Sequence, residues 1–419
     1  MSSAQIPENL VLVDCSNDME MRGYCHSQNS ATWKSDLLTV DEYVQREFAL
    51  STADLCIQHL KTSENSDDVD TGKEESQGIF RKYLGVRYFA LKDMSLPETS
   101  NYSQIVSSVE TLNKVGYVVP PESGKQVPVL SVCIGGVFTA EKFRGNGYAK
   151  SMIQLLNKHY DDMAKTPEGV KTGKFLEWKV MTLYSEVGEF YSKVEYVSDH
   201  VPVHHINKYN ELLKAIEQKE GKNTKNKSVK YMNFKGYDEL VDLEIKETEE
   251  KVAKAVEKRN AKKGTDFIFV LKPDILIYQW FAVRDIYIGC IAFPQLMAKN
   301  PLTYGVSVNN MSTKTNAHCM WHHAWAEKNL TILKVFTQRQ DDIFELFKYM
   351  ILEAQKYNLK EIHIWDEELS KEKYPNFFAT LESVVDADHL SMKNTSLSAI
   401  RAPFHGKVEW LNNGKFCWF

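Results

Sequence analysis

Three stretches of the chain hold residues whose types and order could do chemistry. In the first, an apolar run from Val129 to Thr139 leads directly into Ala140-Glu141-Lys142-Phe143-Arg144-Gly145-Asn146-Gly147-Tyr148-Ala149-Lys150. A buried strand entering a glycine-containing turn that opens a helix leaves free backbone N–H groups and a partial positive charge at the turn. Glycines let a diphosphate approach that backbone closely, and Arg144 and Lys150 add charge at the rim. The turn is neither a P-loop nor a dinucleotide fingerprint, because the Lys-Ser/Thr pair and G-x-G-x-x-G are both missing. The second stretch runs from Phe175 to Tyr196, a strand to Leu183 followed by Phe190-Tyr191 on a short helix. The third, His318-Cys319-Met320-Trp321-His322-His323, invites a metal reading. Strand alternation puts His318 and His322 on one face and Cys319 and His323 on the other, and no second ligand pair has matching spacing. No metal is expected.

The elements that must position these residues follow from hydrophobic period. Leu10 to Val13 suits a first strand, and Thr39 opens a helix running to about Leu60. Lys61 to Gly78 lacks the apolar residues needed to offset ordering entropy and reads as a mobile insertion. Strands are expected at Val86–Leu91, Ile105–Thr111 and Val129–Phe138. Met152, Ile153, Leu155 and Leu156 then fall at helical spacing. This order describes a mixed α/β domain over residues 1–205. A charged helical connector follows over 206–264, and a second α/β domain over 265–419. In that second domain, strands are expected at Tyr304–Val308, His318–Ala326, Thr331–Phe336 and Glu361–Trp365, with an amphipathic helix from Ile343 to Tyr357. Asn413-Gly414 between Val408 and Trp418 signals a closing hairpin.

Composition bounds the class. The 419 residues are 43% hydrophobic and 26% charged, which supports two or three domains with ordinary cores. A formal net charge of −5 without a basic stripe argues against a nucleic-acid partner. No run reaches the roughly 18 apolar residues of a membrane span, and Met1 to Leu10 does not read as a secretory signal. Seven scattered cysteines read as reduced thiols, so the expected setting is cytoplasmic. Nothing here bears on oligomeric state.

The turn at Arg144 resembles the Gln/Arg-x-x-Gly-x-Gly/Ala acetyl-CoA signature of the GNAT N-acetyltransferases. The later Phe190-Tyr191-Ser192-Lys193-Val194-Glu195-Tyr196 resembles that family's Phe-Tyr-x-Lys-x-Gly-Phe, with Glu195-Tyr196 departing from Gly-Phe. The resemblance implies a GNAT fold followed by a second α/β unit, read as a degenerate GNAT-like one, with acetyl-CoA as co-substrate. It also implies that Val137, Phe138 and Thr139 bind the pantetheine arm, and that Arg144, Gly145, Asn146, Gly147, Tyr148 and Ala149 hold the diphosphate. Tyr191 would then act as general acid toward the departing thiolate. A phenol of reference pKa about 10 suits that task, since it stays protonated at neutral pH.

A closer resemblance, to fungal L-lysine ε-acetyltransferases, rests on Pro7 to Val13, Tyr43-Val44-Gln45-Arg46-Glu47, Val137-Phe138-Thr139 with the Arg144 turn, and Leu183 to Tyr191. It implies acetylation of the free amino acid as a first step of lysine degradation, with Trp33, Tyr43 and Arg46 lining the substrate. A lysine ε-amine of pKa about 10.4 is almost wholly protonated at neutral pH, so a carboxylate or a water relay must remove its proton. Glu47, Glu186 and Glu189 are candidates, as is the terminal carboxylate of Phe419. The alternatives are a protein, peptide or polyamine acetyltransferase, and a non-catalytic acetyl-CoA-binding module.

Overall fold

The computed structural model describes residues 6–60, 74–220 and 227–418. The chain opens with β1 (Leu10–Asp14) and α1 (Met19–Trp33), which starts at Asp18, whose carboxylate accepts from the Met21 N–H. Thr39 and Glu42 form a reciprocal capping box that starts α2 (Val40–Ser51). That helix stops well short of Leu60, because Ser51 and Thr52 turn their hydroxyls onto the carbonyls of Phe48 and Ala49. Residues 61–73 of the expected insertion lie outside the described residues, and its end belongs to α3 (Glu74–Arg81).

Next come β2 (Gly85–Asp93), β3 (Ile105–Val119) and β4 (Val127–Thr139), all antiparallel. A crossover through α4 (Tyr148–Met163), α5 (Pro167–Lys171) and α6 (Lys174–Glu177) leads to β5 (Val180–Ser185), parallel to β4. The strand expected from Phe175 therefore begins only at Val180. Residues Lys174–Glu177 instead close a short helical turn, in which the Trp178 N–H donates to the Lys174 carbonyl at 2.9 Å. After β6 (Val197–Ser198) come β7 (Val203–Ile206), α7 (Tyr209–Glu220), β8 (Lys227–Tyr231) and α8 (Asp238–Ala261), so the connector holds a strand as well as helices. The remainder is β9 (Phe267–Val270), α9 (Ile275–Ala292), α10 (Pro294–Lys299), β10 (Gly305–Asn310), β11 (Thr315–Ala324) and β12 (Asn329–Thr337). It closes with α11 (Asp342–Lys356), β13 (Glu361–Trp365), α12 (Pro375–Glu382), β14 (Leu397–Arg401) and β15 (Val408–Leu411).

Two mixed sheets result. The first runs β1-β2-β3-β4-β5-β14-β6, with β9 on β3 and β15 on β9; the second runs β7-β13-β12-β11-β10-β8. The sheets do not divide at residues 205 and 265: β7 sits in the second sheet, while β9, β14 and β15 complete the first. β14 takes the free edge of β5 from Ser185 to Met181. The expected C-terminal hairpin is absent because Val408–Leu411 pairs in parallel with β9. Asn412 and Asn413, both buried, spend their amides on Thr248 and Ser398 rather than on a hairpin turn.

The second sheet repeats the plan of the first: β10, β11 and β12 antiparallel, a crossover through α11, then a parallel β13. Here too the parallel strands pair briefly, Asn329–Thr331 against Glu361–His363, and then part. The gap is plugged from within. Glu368 accepts from the Val335 N–H at 2.9 Å and from Lys334 Nζ at 3.0 Å, and both side chains are almost wholly buried. Burial works against the Lys334 charge, but Glu368, Glu247 and Glu244 more than offset it. The turn into α11 has no glycine, and Asp342 and Glu345 occupy its first helical turn, which repels phosphate. The second unit thus repeats the strand plan of the first, with the gap between β12 and β13 filled by its own side chains. Lys334→Met strands a buried carboxylate and is expected to cost about 3–5 kcal/mol of stability by denaturant unfolding. A cost below about 1 kcal/mol would show that the pair does not hold this gap.

α9 is 18 residues long and apolar enough to span a bilayer by length and composition. In this fold it packs on α2 and β11, with buried Asp285 at its centre accepting from the His323 N–H at 2.7 Å. Leu38, just before α2, and Tyr43 in its first turns join the core of the second sheet, so this segment bridges the two sheets.

Candidate active site

β4 and β5 pair only over Ser131–Ile134 and Val180–Leu183. Beyond that point β5 turns to β14, while β4 continues to Thr139 beside β3, with no strand on its β5 side. The parting coincides with a bulge: three steps of β4, Gly135 to Phe138, span two steps of β3, Glu110 to Ser108. Gly136 takes φ +58° there, and a Cβ on it would lie 3.3 Å from the Glu110 carboxyl group. A wedge-shaped opening edged by unpaired strand backbone suits a polyamide arm that can hydrogen-bond like a strand. Val137 and Thr139 are half-buried along this edge and Phe138 is buried.

Below the opening, Glu141–Phe143 forms one 3-10 turn and Arg144 to Gly147 is exposed. Gly145 and Gly147 take φ +83° and +80° with nothing within 4 Å of a Cβ, so conformation rather than packing selects them. Arg144 Nε donates to the Thr139 carbonyl at 3.1 Å, and Asn146 Nδ2 to the Phe143 carbonyl at 3.0 Å, which stiffens the loop from inside. α4 starts at Gly147 with no side-chain cap and no acidic residue in its first turn, leaving its N–H groups open to an anion. Ala149 and Lys150 are half-buried in that turn. Tyr148 is anchored by donating to Asp93 at 2.6 Å. Despite burial, hydrogen bonds from Ser95, Tyr148 and Asn9 hold the Asp93 carboxyl down to about 2.

Tyr191 lies on the α4 face of the first sheet, 8% exposed, edge-on to Phe190 and Tyr196. Its hydroxyl has no hydrogen-bond partner among the described residues. Burial, and then Glu186, push it up to about 12.

The opposite face of the sheet holds a group that the sequence reading passed over. Glu110 lies in register between Tyr88 and Gly135. Its side chain is 12% exposed, and Oε1 is 3.4 Å from His26 Nδ1. Burial, and then Glu47, push this carboxyl up to about 8, against the pull of Arg22 and Arg46. Burial lowers His26 to about 4, so its ring is neutral at physiological pH. Arg22 is pinned over the Tyr88 ring at 4.0 Å. One signal could have exposed Glu110: it is the lone acid in the otherwise uncharged segment from Ile105 to Asn113.

Of the expected substrate residues, Arg46 is buried, ion-paired with Glu47 and stacked over Tyr43 at 4.6 Å. It faces Glu110 electrostatically. Tyr43 donates to Asn29 at 2.9 Å. Trp33 packs against the core of the second sheet, away from this cluster of charges. Among the candidate bases, Glu47 reaches the Glu110 cluster, Glu186 is exposed past the end of β5, and Glu189 accepts from Ser198 at 2.6 Å. Phe419 lies outside the described residues. Its neighbour Trp418 stacks on Tyr184 at 4.6 Å, where β4 and β5 have just parted. The histidines of β11 tie elements together: His318 to Glu244 at 2.9 Å and His323 to Glu353 at 3.1 Å.

A family model described as the LYC1 GNAT-like C-terminal domain matches residues 214–419. Uncharacterized protein YGR111W of Saccharomyces cerevisiae is 36% identical over 429 residues, spanning 100% of both chains. A lysine acetyltransferase of Yarrowia lipolytica is 22% identical over 301 residues, covering 63% of this chain and 69% of its own. A solved structure from Enterococcus faecalis, described as a probable N-acyltransferase, covers 94% of this chain and 72% of its own, with a TM-score of 0.49 and 10% identity.

Proposed function

We propose that the chain is an acyl-CoA-dependent N-acetyltransferase of the GNAT type, as the match of residues 214–419 to a GNAT-like domain supports, and that it moves the acetyl group of acetyl-CoA to the ε-amine of free L-lysine. The observation that carries this reading is the opening between β4 and β5, with an uncapped helix N-terminus at its mouth and a carboxyl group of raised pKa at its bulge. The residues around it suit acetyl-CoA: the Arg144–Ala149 loop takes the diphosphate, and the free edge of β4 at Val137–Thr139 takes the pantetheine amides. When bound, acetyl-CoA supplies an activated acyl carbon and a thiolate leaving group.

The protein's own groups divide the proton work by face. Glu110, as carboxylate, takes a proton from the acceptor ammonium, a transfer made easier by the high proton affinity that burial gives it. Arg22 and Arg46 stabilise its ionised form. Tyr191 stays protonated at neutral pH and donates to the departing thiolate from the α4 side. Free lysine as the acceptor draws support from the lysine acetyltransferase relative.

The test is thiol release from acetyl-CoA with lysine, ornithine, spermidine and a lysine-containing peptide in parallel. Turnover confined to lysine supports the reading, and turnover only on the peptide replaces it. A binding test is independent of the acceptor. Gly147→Val puts a branched side chain at φ +80° where the phosphates approach. It is expected to weaken acetyl-CoA affinity at least about tenfold while costing the free protein roughly 1–2 kcal/mol. Unchanged affinity would move the diphosphate elsewhere.

A further inference from the structure

The edge of the second sheet carries a group of ligand-type side chains that the acetyl-transfer scheme does not use. β7 and β13 pair antiparallel with His205 directly opposite His363, so the two imidazoles stand on one face of the sheet. Glu361, two positions before His363, shares that face. On the other face Ile206, Ile362 and Ile364 are fully buried, which holds the two strands in register.

The three side chains converge on one point. Glu361 Oε2 is 3.4 Å from His205 Nδ1 and 3.2 Å from His363 Nε2. The two rings lie 3.9 Å apart between centroids, tilted by 33°. One ligand atom from each of the three residues falls within 4.8 Å of the other two. Zinc–ligand bonds of about 2.0–2.1 Å at tetrahedral angles set two ligand atoms about 3.3 Å apart, the spacing that both carboxylate contacts show. A simple ion pair accounts for less of this. His363 Nε2 is enclosed and makes no hydrogen bond with a described residue, although the carboxylate oxygen is beside it. An N–H paired with that oxygen would point along the line between them, whereas a lone pair sharing an ion with it would point to the ion instead. The side chains are 20–27% exposed, so water can reach a fourth position.

We propose that His205, Glu361 and His363 bind one divalent transition-metal ion, and that zinc is the ion these separations and this ligand set suit. The ion clips β7, a four-residue edge strand entered directly from the first sheet, onto β13. It sits over Glu361–His363, the stretch of β13 that also pairs with β12 before those two strands part. The site is separate from the histidines of β11. No spacing in the sequence announces it, because β7 and β13 lie far apart in the chain.

The experiment titrates zinc into tag-free protein stripped with a chelator, in the absence of acetyl-CoA and amine, so its result is independent of the acyl-transfer reading. Wild type should take up one zinc per chain, and its Tm should rise on binding. His205→Gln, Glu361→Gln and His363→Gln should each weaken uptake at least about 100-fold, beyond the roughly 10–100-fold lost with a group that only orients a ligand. They should also lose the zinc-dependent rise in Tm. His405→Gln, at an exposed histidine elsewhere, should bind as wild type does. Cobalt in place of zinc should give the intense visible bands of a four-coordinate ion and the shifted proton resonances of two imidazole ligands. That measurement needs wild type alone, so it decides the matter even where a variant fails to fold. A wild type without stoichiometric zinc, uptake that survives all three substitutions, or a cobalt spectrum without two imidazole ligands would overturn the assignment.

Discussion

Glu110→Gln is expected to lower kcat for the proposed lysine acetylation by about 10²–10⁴-fold, the usual contribution of a general base. Wild-type kcat/KM should rise with pH through about 8, as the raised carboxyl of Glu110 ionises, and the variant should lack that limb. Stability should move the other way. The folded-state pKa of Glu110 lies above the ordinary value of 4.5, so its stabilising contribution is full below 4.5 and is lost as pH rises through about 8. A neutral glutamine avoids that loss. The variant should therefore melt higher than wild type at pH 9, with the gap narrowing toward pH 5. A residue that merely supported the fold would lower activity and stability together. Persistence of the limb near pH 8 in Glu110→Gln would assign the base elsewhere, with Glu47 the next candidate.

Tyr191→Phe is expected to lower kcat about 10²-fold with acetyl-CoA affinity unchanged, because the hydroxyl is asked to act only as the thiolate leaves. The phenol has been pushed up to about 12, so the wild type should show no loss of activity from its ionisation between pH 7 and about 10. An acetyl thioester of a more acidic thiol needs less protonation on departure, so the gap between Tyr191→Phe and wild type should narrow with it. A decrease under about threefold, or a gap insensitive to the leaving thiol, would return Tyr191 to a packing role beside Phe190 and Tyr196.

Local signals in the sequence settled local structure. The Arg144 turn is readable because its conformation is fixed by its own glycines and the helix that follows: Gly145 and Gly147 adopt positive φ without any neighbour demanding it. The capping box at Thr39–Glu42 and the apolar stripe of α11 likewise need only residues within a few positions of one another. The expectation of a second GNAT-like unit without a cofactor turn rested on the same kind of evidence. The sequence could report that glycine was missing after Thr337, though not that Glu368 and Lys334 plug the gap.

What failed or was missed depends on chain segments far apart in sequence. The Asn-Gly hairpin was outcompeted because β9 offered Val408–Leu411 a parallel edge and Thr248 and Ser398 offered buried partners to the two asparagines. The first sheet runs across the expected boundaries at 205 and 265 because β5 had a free edge that β14, some 200 residues later, covers. Glu110 was passed over because a single acid in a strand carries no spacing to read. Its raised pKa comes from being enclosed by α1, α2 and the β4 bulge, and from Glu47 beside it. By itself the sequence determined the glycine turn between β4 and α4, the antiparallel strands before it and the presence of a second α/β unit, since each is encoded in a contiguous run. Only the tertiary structure decided which carboxylate sits at the bulge and which cations face it, because burial and the meeting of charges are properties of the packed chain.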